Sequence, residues 1–329
     1  MAKHLCYEER AEMALLLSHG HSFGFIAKAL GRAKSTIYSE ARRNTSPGAH
    51  YRAAPAEDLA RQRAQKPRTT RKMQDAPLRE YVQEKLAHKW SPEQIAGRIA
   101  RDFPQRTSMR ISHETIYKWI WERKKAGDEW HSHLRQAHKK RGRRWRRSRE
   151  TRGKIRGRTS IDERPSSVDS RRFVGDWEGD SLVGMGRKSS VATWVERKCR
   201  YTCLALVEGT GPAVFNKRVL QRFSSQPELP IRTVTVDNGR EFTAHAALSV
   251  AWHAPIYFAH PYHSWERGLN ENTNGLLRQF YPKGTDFRQV SRADIAEKER
   301  LLNTRPRKCL QYRTPEEAMA RALASRRSD

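Results

Sequence analysis

Residues 173–183 read Phe-Val-Gly-Asp-Trp-Glu-Gly-Asp-Ser-Leu-Val, and here the sequence changes from helical spacing to the pattern of a β-strand that carries acids. Two further stretches rich in β-branched and aromatic residues follow at 190–195 and 201–207, with a short polar link over 196–200. The sequence therefore predicts three consecutive strands in this region.

The rest of the C-terminal half alternates helices with strands. An amphipathic helix is predicted over 213–223, a fourth strand over 231–236, a fifth over 255–259 and a helix from about residue 266 to 281. This order matches a ribonuclease-H-like α/β core with a mixed five-stranded sheet. We assign that core to residues 166–329.

Acidic residues follow the predicted strands. Asp180 lies on the first strand, Asp237 closes the fourth, and Glu271 lies on the helix after the fifth. In a ribonuclease-H-like sheet the first and fourth strands lie side by side, so we expect these three acids to meet. Asp176 and Glu178 share a strand face with Asp180, and alternation alone does not choose among the three.

Three carboxylates at one point suit phosphodiester chemistry. Such a reaction must activate a water or a 3′ hydroxyl and stabilise the leaving oxygen, which two metal ions roughly 3.5–4 Å apart achieve together. Mg²⁺ prefers hard oxygen ligands and keeps several waters, so a few acids suffice. We expect Asp237, Glu271 and one of the three acids on the first strand, Asp180 among them, to be both catalytic residues and ligands of two Mg²⁺ ions, with Mn²⁺ as a substitute.

The N-terminal residues 1–50 have the pattern of a helix-turn-helix domain. Ala11, Ala14, Leu15 and Leu17 give the opening helix an apolar face, and Ser22 is suited to cap the next helix. In the helix that follows Gly31, Ile37 and Ala41 face inward. The residues predicted to reach DNA bases and phosphates in a major groove are Arg32, Lys34, Ser35, Tyr38, Ser39 and Arg42.

A second helix-turn-helix pattern spans residues 76–130. Ser91-Pro-Glu-Gln94 is typical of a helix start, because Ser caps, Pro occupies the first turn and Gln returns to the cap amide. Ser112 begins another helix, whose outward residues His113, Tyr117 and Lys118 are candidate DNA contacts. A purely structural helix pair remains open for this segment.

Charge is distributed unevenly along the chain. The 329 residues carry a formal net charge of +29, and residues 161–329 hold only 27 of the 65 Lys and Arg but 20 of the 36 Asp and Glu. We interpret residues 51–75 as a linker and residues 131–165 as a basic linker that tracks DNA. Candidate DNA contacts in the basic linker are Arg143, Arg144, Arg146 and Arg147.

Composition excludes several other classes of protein. No apolar run is long enough to span a membrane, and the N-terminus lacks the apolar run of a secretory signal, so we expect a cytoplasmic, nucleoid-associated bacterial protein without a membrane partner. The four cysteines do not complete a zinc site and are expected to be free thiols. The basic half favours double-stranded DNA as the partner.

Three segments are similar to the catalytic blocks of the insertion-sequence-thirty transposase family, whose active sites carry two Asp and one Glu. They are Asp176-Trp-Glu-Gly-Asp180, Val236-Asp-Asn-Gly-Arg-Glu-Phe242 and Trp265-Glu-Arg-Gly-Leu-Asn-Glu-Asn-Thr-Asn-Gly-Leu-Leu-Arg278. Asp237 and Glu271 have 33 residues between them, a spacing similar to the family's. Residues 30–37, 303–308 and 313–317 resemble the family as well.

The resemblance implies a DNA transposase that binds terminal inverted repeats and target DNA. It favours Asp180 over Asp176 and Glu178, and it implies cleavage that frees a 3′ hydroxyl, strand transfer by direct transesterification, and circular intermediates. Bringing two DNA ends together implies a homodimer or a higher homo-oligomer. A repressor that retains an inactive core and a plain nuclease of the same fold are the alternatives.

Several neighbouring residues compete for roles at the acids. Glu241 closely follows Asp237, and Glu266 points to a different side of its helix from Glu271. His260 and His263 lie near the third acid, where packing or DNA contact is the more ordinary role. Arg278 follows Glu271 at i+7, and we predict that it meets a DNA phosphate, with a surface salt bridge as the alternative.

Overall fold

A computed structural model describes residues 4–45, 48–65, 71–135, 155–261 and 263–326. The chain divides into two compact units, residues 1–69 and 70–329. Among the described residues, no helix combines the length and apolarity needed to cross a bilayer. Four of the predicted DNA contacts lie outside the described residues: Arg143, Arg144, Arg146 and Arg147.

The N-terminal unit consists of helices. They are α1 (Tyr7–Ser18), α2 (Phe23–Ala29), α3 (Lys34–Asn44) and α4 (Ala53–Gln65). Met13, Ile26 and Ile37 are fully buried between them, and Ser22 caps α2 by accepting a hydrogen bond from the Phe25 amide. The predicted helix-turn-helix is thereby confirmed. Helix α4 falls within the segment predicted as a linker, and that predicted boundary stays a prediction.

A buried arginine joins three helices of this unit. Arg10 of α1 donates to Glu40 of α3 and to Glu57 of α4, each at 2.6 Å. The buried face of α1 therefore carries Arg10 and Met13, whereas Leu15, predicted to face inward, is exposed. The prediction was wrong because α4 packs against α1 and determines which face of α1 is buried. The spacing of apolar residues within α1, on which the prediction rested, carries no information about α4.

Three more helices open the second unit. They are α5 (Ala76–Ala87), α6 (Pro92–Asp102) and α7 (His113–Lys125). Ser91 and Gln94 form the predicted capping box, and Ser112 caps α7. Their shared core is apolar and includes Leu78, Val82, Leu86, Ile95, Ile99, Ile116 and Ile120. The helices form where the caps and the spacing of apolar residues predict them.

Helix α6 is docked on the C-terminal part of the same unit. Arg98 makes a two-pronged ion pair with Glu317, with nitrogen–oxygen distances of 2.7 and 2.6 Å. Gly97 lies against the ring of Tyr312 so closely that a Cβ atom there would be 2.2 Å from the ring. Lys308 pairs with Glu93 at 2.8 Å. These contacts join the second helical segment to the sheet-containing part of the chain.

In the part of the chain that the structure describes, the sheet has six strands rather than the five predicted. They are β1 (Thr159–Ser160), β2 (Asp176–Val183), β3 (Ser189–Glu196), β4 (Thr202–Glu208), β5 (Thr233–Val236) and β6 (Ile256–Phe258). The spatial order is β1-β6-β5-β2-β3-β4. The additional strand β1 pairs with β6 at the sheet edge. It has only two residues, which is too few for an alternating pattern to be visible in the sequence.

Helices cover both faces of this mixed sheet. They are α8 (Pro212–Ser224), α9 (His245–Trp252), α10 (Gly268–Leu277), α11 (Arg292–Asn303) and α12 (Pro315–Arg326). Trp177, Trp194 and Phe223 lie in the larger core, and Leu182 and Leu277 lie in the smaller one. The mixed sheet with helices packed on it agrees with the ribonuclease-H-like core that the element order predicts.

Strands β2 and β5, which correspond to the predicted first and fourth strands, lie side by side at the centre of the sheet as predicted. Strand β2 runs antiparallel to β3 on one side and parallel to β5 on the other. Opposite β2 on the β3 side, Trp194 faces Gly179, and a Cβ atom at Gly179 would lie 2.8 Å from the indole ring. A glycine is required there because the ring covers the strand.

We expect Gly97→Ala to loosen the docking of α6, because the added methyl group overlaps the ring of Tyr312. The cost expected from overpacking is about 1–3 kcal/mol, although alanine is the better helix former. Native-state hydrogen exchange of the α6 amides measures it. Gly24→Ala in α2 is the control, since its Cβ has only one neighbour, at 3.8 Å. Equal or slower exchange in the Gly97 variant would contradict the docking.

Candidate active site

Asp180 and Asp237 come together through strand register. Strands β2 and β5 are parallel, with Glu178 opposite Thr235. Two residues further along both chains, Asp180 is level with Asp237, which directly follows β5. Both acids therefore stand at the same level of neighbouring strands, as the order of elements predicts.

Arg267 lies between the two acids. Its Nη1 atom is 3.5 Å from Asp180 Oδ2, and its Nη2 atom is 3.3 Å from Asp237 Oδ2. The guanidinium also donates to the carbonyl oxygen of Gly179 at 3.3 Å. Two carboxylates thus converge on one positive group. A pair of hard oxygen donors that holds a cation in this way has the chemistry required for a divalent cation.

The environment of Asp180 opposes its ionisation. The pKa of Asp180 is raised to about 6, and burial is the main cause. The negative charges of Asp237 and Glu241 also raise this pKa, whereas the positive charge of Arg267 opposes the increase. The Ser181 amide donates to Oδ1 at 2.8 Å and the Asn274 side chain donates to Oδ2 at 2.9 Å. Such a carboxylate gains from a nearby cation, because the cation offsets both burial and the neighbouring negative charges.

Glu271 lies on the helix that faces these acids. Arg267 directly precedes α10, four residues before Glu271, and Asn274 lies on α10 three residues after Glu271; both contact Asp180. Positions spaced in this way share a helix face, so Glu271 is on the side turned toward Asp180 and Asp237. Its side chain is exposed and has no hydrogen-bond partner within the described residues. The carboxylate oxygens of the three acids do not all lie within 4.8 Å of one another.

Glu178 has a different role from Asp180, although both lie on the same face of β2. Its carboxylate accepts hydrogen bonds from the amides of Leu269 and Asn270, both at 3.1 Å, and from Arg197 at 2.8 Å. Burial raises the pKa of Glu178, and the charge of Arg197 opposes that increase. Glu178 therefore caps the N-terminus of α10 from a neighbouring strand.

Asp176, the third acid on this face, is also buried. It accepts a hydrogen bond from the Thr233 hydroxyl at 2.9 Å and lies 3.6 Å from Arg232. The structure thus gives the three alternating acids different partners. Of the three, only Asp180 is paired with Arg267, which also contacts Asp237. Sequence spacing did not make this distinction.

The turn that carries Asp237 is fixed by its neighbours. The Gly239 amide donates to Asp237 Oδ1 at 2.8 Å, and the Asn238 side chain donates to the Ala259 carbonyl oxygen at 2.7 Å. Glu241 accepts a hydrogen bond from the Ser181 hydroxyl. Glu241 is therefore bonded to the residue that follows Asp180 and contributes negative charge to the same pocket.

Comparison with known proteins assigns the chain to a family. It is 40% identical over 328 residues to the transposase InsI for insertion sequence element IS30A of Escherichia coli, which covers 98% of this chain and 84% of that protein. The chain belongs to the IS30 transposase family. The transposase for element IS4351 of Bacteroides fragilis is 37% identical to this chain, over 96% of this chain and 95% of that protein. The transposase for element IS1086 of Cupriavidus metallidurans is also 37% identical, over 97% of this chain and 94% of that protein. Residues 2–44 match a helix-turn-helix domain model.

In this IS30 family member, the predicted DNA contacts of α3 lie mainly on its surface. Lys34, Ser35, Tyr38 and Arg42 are exposed and Ser39 is half-buried, while Ile37 is buried as predicted. Arg32 pairs with Glu9 of α1 at 2.7 Å, a partner that was not anticipated. The exposed set forms one continuous polar face of the helix.

Helix α7 presents a second such face. His113, Tyr117 and Lys118 are exposed, and Lys118 lies 3.7 Å from Glu122. Trp121, which the sequence reasoning did not single out, is 48% exposed one turn after Tyr117. Its position four residues after Tyr117 was the available signal, because i and i+4 share a helix face.

Arg278 has intramolecular partners at the end of α10. Its guanidinium donates to the carbonyl oxygens of Tyr281 and Pro282, both at 3.3 Å. Burial lowers the pKa of Arg278. A contact of this side chain with a DNA phosphate stays a prediction.

We expect Glu178→Ala to detach α10 from β2, because it removes the acceptor of the Leu269 and Asn270 amides and leaves the buried Arg197 with Asp169 as its remaining acidic partner. Breaking a buried charged pair costs about 3–5 kcal/mol. Urea unfolding measures the change, and Glu228→Ala at an exposed site is the control. A cost equal to that of the control variant would show that Glu178 does not hold the helix.

Proposed function

We propose that this chain is an insertion-sequence transposase that cuts DNA at the element ends and joins them to target DNA, with Asp180, Asp237 and Glu271 as its catalytic acids. The observation that carries the proposal is the convergence of Asp180 and Asp237 on one guanidinium at the same level of neighbouring strands. The helix that bears Glu271 is tied to the same strand through Glu178. Full-length similarity to transposases supports the same reading.

The reaction requires two displacements at phosphorus. In the first, a water oxygen bonds to phosphorus as the bond to the 3′ oxygen breaks, which leaves a 3′ hydroxyl. In the second, the oxygen of that hydroxyl bonds to the phosphorus of another phosphodiester, and the bond between this phosphorus and the 3′ oxygen of its own strand breaks. No covalent protein intermediate forms. Two Mg²⁺ ions, or Mn²⁺ in their place, would activate the attacking oxygen and stabilise the leaving one.

The side chains of the pocket prepare it for this chemistry. Asp180 and Asp237 would each supply oxygen ligands, and Glu271, exposed on the facing helix, would complete the set. Asn274 holds one oxygen of Asp180 in place through its amide group. Arg267 offsets the repulsion between the two Asp carboxylates, because its guanidinium lies within 3.5 Å of both.

DNA recognition is assigned to the helical regions and the basic segment. The exposed face of α3 and that of α7 would bind the terminal inverted repeats, and residues 131–165 would track the phosphate backbone. The partner is double-stranded DNA in the bacterial cytoplasm. Holding two ends together requires a homodimer or a higher homo-oligomer.

A strand-transfer assay with labelled element ends in Mg²⁺ or Mn²⁺ tests the proposal. The unmodified chain should give joined products, and Asp180→Asn, Asp237→Asn and Glu271→Gln should each reduce joining by at least about 10³-fold, since each removes a ligand of an obligatory metal pair. Chelation by EDTA should have the same effect. Glu316→Gln, an exposed acid on α12, is the matched control and should leave joining unchanged.

The other outcomes of this assay are informative. Cleaved ends without joined product would identify a nuclease, and binding of ends without cleavage would identify a repressor with an inactive core. Persistence of joining in the Glu271→Gln variant would remove Glu271 from the catalytic set.

We expect Lys34→Ala and Arg42→Ala to weaken binding of the element ends, because both side chains project from the exposed face of α3. Each lost phosphate contact should reduce the slope of log affinity against log salt by about 0.9. Fluorescence anisotropy at several salt concentrations measures both quantities. Arg288→Ala is the control, because Asp286 neutralises that arginine locally at 2.6 Å. Unchanged affinity and slope in both α3 variants would exclude this face from the interface.

A further inference from the structure

The segment between β6 and α10 brings three potential metal ligands to one side of the chain. Its sequence is His260-Pro-Tyr-His-Ser-Trp-Glu266. The amide of His263 donates to the carbonyl oxygen of His260, and the amide of Glu266 donates to that of His263, both at 3.2 Å. These two successive turns place His260, His263 and Glu266 together, and we call them the His–Glu site.

The ligand atoms of the His–Glu site are close enough to share one ion. Glu266 Oε1 lies 2.9 Å from His260 Nδ1 and 3.2 Å from His263 Nδ1, and the three atoms all lie within 4.8 Å of one another. Bonds of about 2.0–2.2 Å in a tetrahedral zinc site separate neighbouring ligand atoms by roughly 3.3 Å. The spacing therefore matches three corners of such a site. Within the described residues this is the only group of three His, Cys, Asp or Glu with such spacing.

Surrounding contacts orient two of the ligands. The backbone amide of His260 donates to Glu266 Oε2 at 2.8 Å, which leaves Oε1 directed at the two imidazoles. His260 Nε2 lies 3.0 Å from Asp162 Oδ2. A histidine that binds metal through one ring nitrogen commonly donates its other N–H to a carboxylate in this way, which fixes the tautomer. Asp162 thus prepares Nδ1 of His260 to act as a ligand.

The ligand types favour Zn²⁺ over Mg²⁺. Two imidazoles and one carboxylate suit Zn²⁺, whereas Mg²⁺ prefers oxygen ligands alone. The His–Glu site is therefore chemically distinct from the carboxylate pocket at Asp180 and Asp237. Both imidazoles and Glu266 are only partly buried, so an ion and a solvent ligand can reach them.

We propose that His260, His263 and Glu266 bind one Zn²⁺ ion, with a solvent oxygen as the fourth ligand and Asp162 as the residue that positions His260. The ion would fix the segment that leads into α10. Glu266 directly precedes Arg267, so the ion would stabilise the start of the helix on which Glu271 lies. The inference is independent of the proposed catalytic mechanism.

Titration of the full chain with Co²⁺, a spectroscopic substitute for Zn²⁺, tests the proposal. One equivalent of Co²⁺ should produce the intense visible absorption of a four-coordinate site, and Zn²⁺ should displace it. His263→Ala and Glu266→Ala should abolish the signal. Asp162→Ala should weaken affinity by about 10–100-fold, as expected for a residue that orients a ligand.

Two further variants keep the test decisive. His263→Cys should retain binding and add a thiolate-to-cobalt charge-transfer band, which shows that position 263 is a ligand even if the alanine variant unfolds. His88→Ala is the matched control, because His88 forms an ordinary surface pair with Glu84 at 3.9 Å. It should leave the titration unchanged.

The outcome is separable from that of the catalytic proposal. Asp237→Asn should leave the cobalt spectrum intact while it removes strand transfer. Absence of a four-coordinate spectrum in the unmodified chain, or a spectrum that His263→Cys leaves unaltered, would overturn the zinc proposal and would leave the His–Glu site as a hydrogen-bonded trio only.

Discussion

A buried carboxylate on the central strand determines the geometry of the site. Glu178 is almost completely inaccessible to solvent, and such a charge is tolerated only when donors surround it. Two of its donors are amides at the start of α10, and the third is the guanidinium of Arg197. Strand and helix are therefore fixed relative to each other at one point. Asp180 lies two residues from that point on the strand, and Glu271 lies one residue beyond Asn270 on the helix.

Much of the core was predictable because its determinants are local. The spacing of apolar residues and the capping residues Ser22, Ser91 and Ser112 specify helices within a few positions of themselves. The order of strands and helices was enough to predict that the strands bearing Asp180 and Asp237 are neighbours. These features need no knowledge of which distant residues touch.

The parts that sequence reasoning missed depend on long-range packing. The covered face of α1 is chosen by α4, so Leu15 is exposed and Arg10 is buried. Alternation placed Asp176, Glu178 and Asp180 on one face, but their different partners come from distant segments, with Thr233 of β5 bonded to Asp176 and α10 in contact with the other two. Arg267 carried one local signal, its spacing of four residues before Glu271, while its contact with both acids depends on the assembled sheet.

The identity of the acid at the pocket depends on a residue that carries no functional group. Because Glu178 precedes Asp180 by two positions, sliding β2 by two residues in one direction would present Glu178 to Asp237 in place of Asp180, while every side chain stays on its face. Trp194 opposes that slip, because a Cβ atom at position 179 would already lie 2.8 Å from its indole ring and the shifted alignment would set the ring against the side chain of Trp177. The absence of a side chain at position 179 thereby selects which acid faces Asp237.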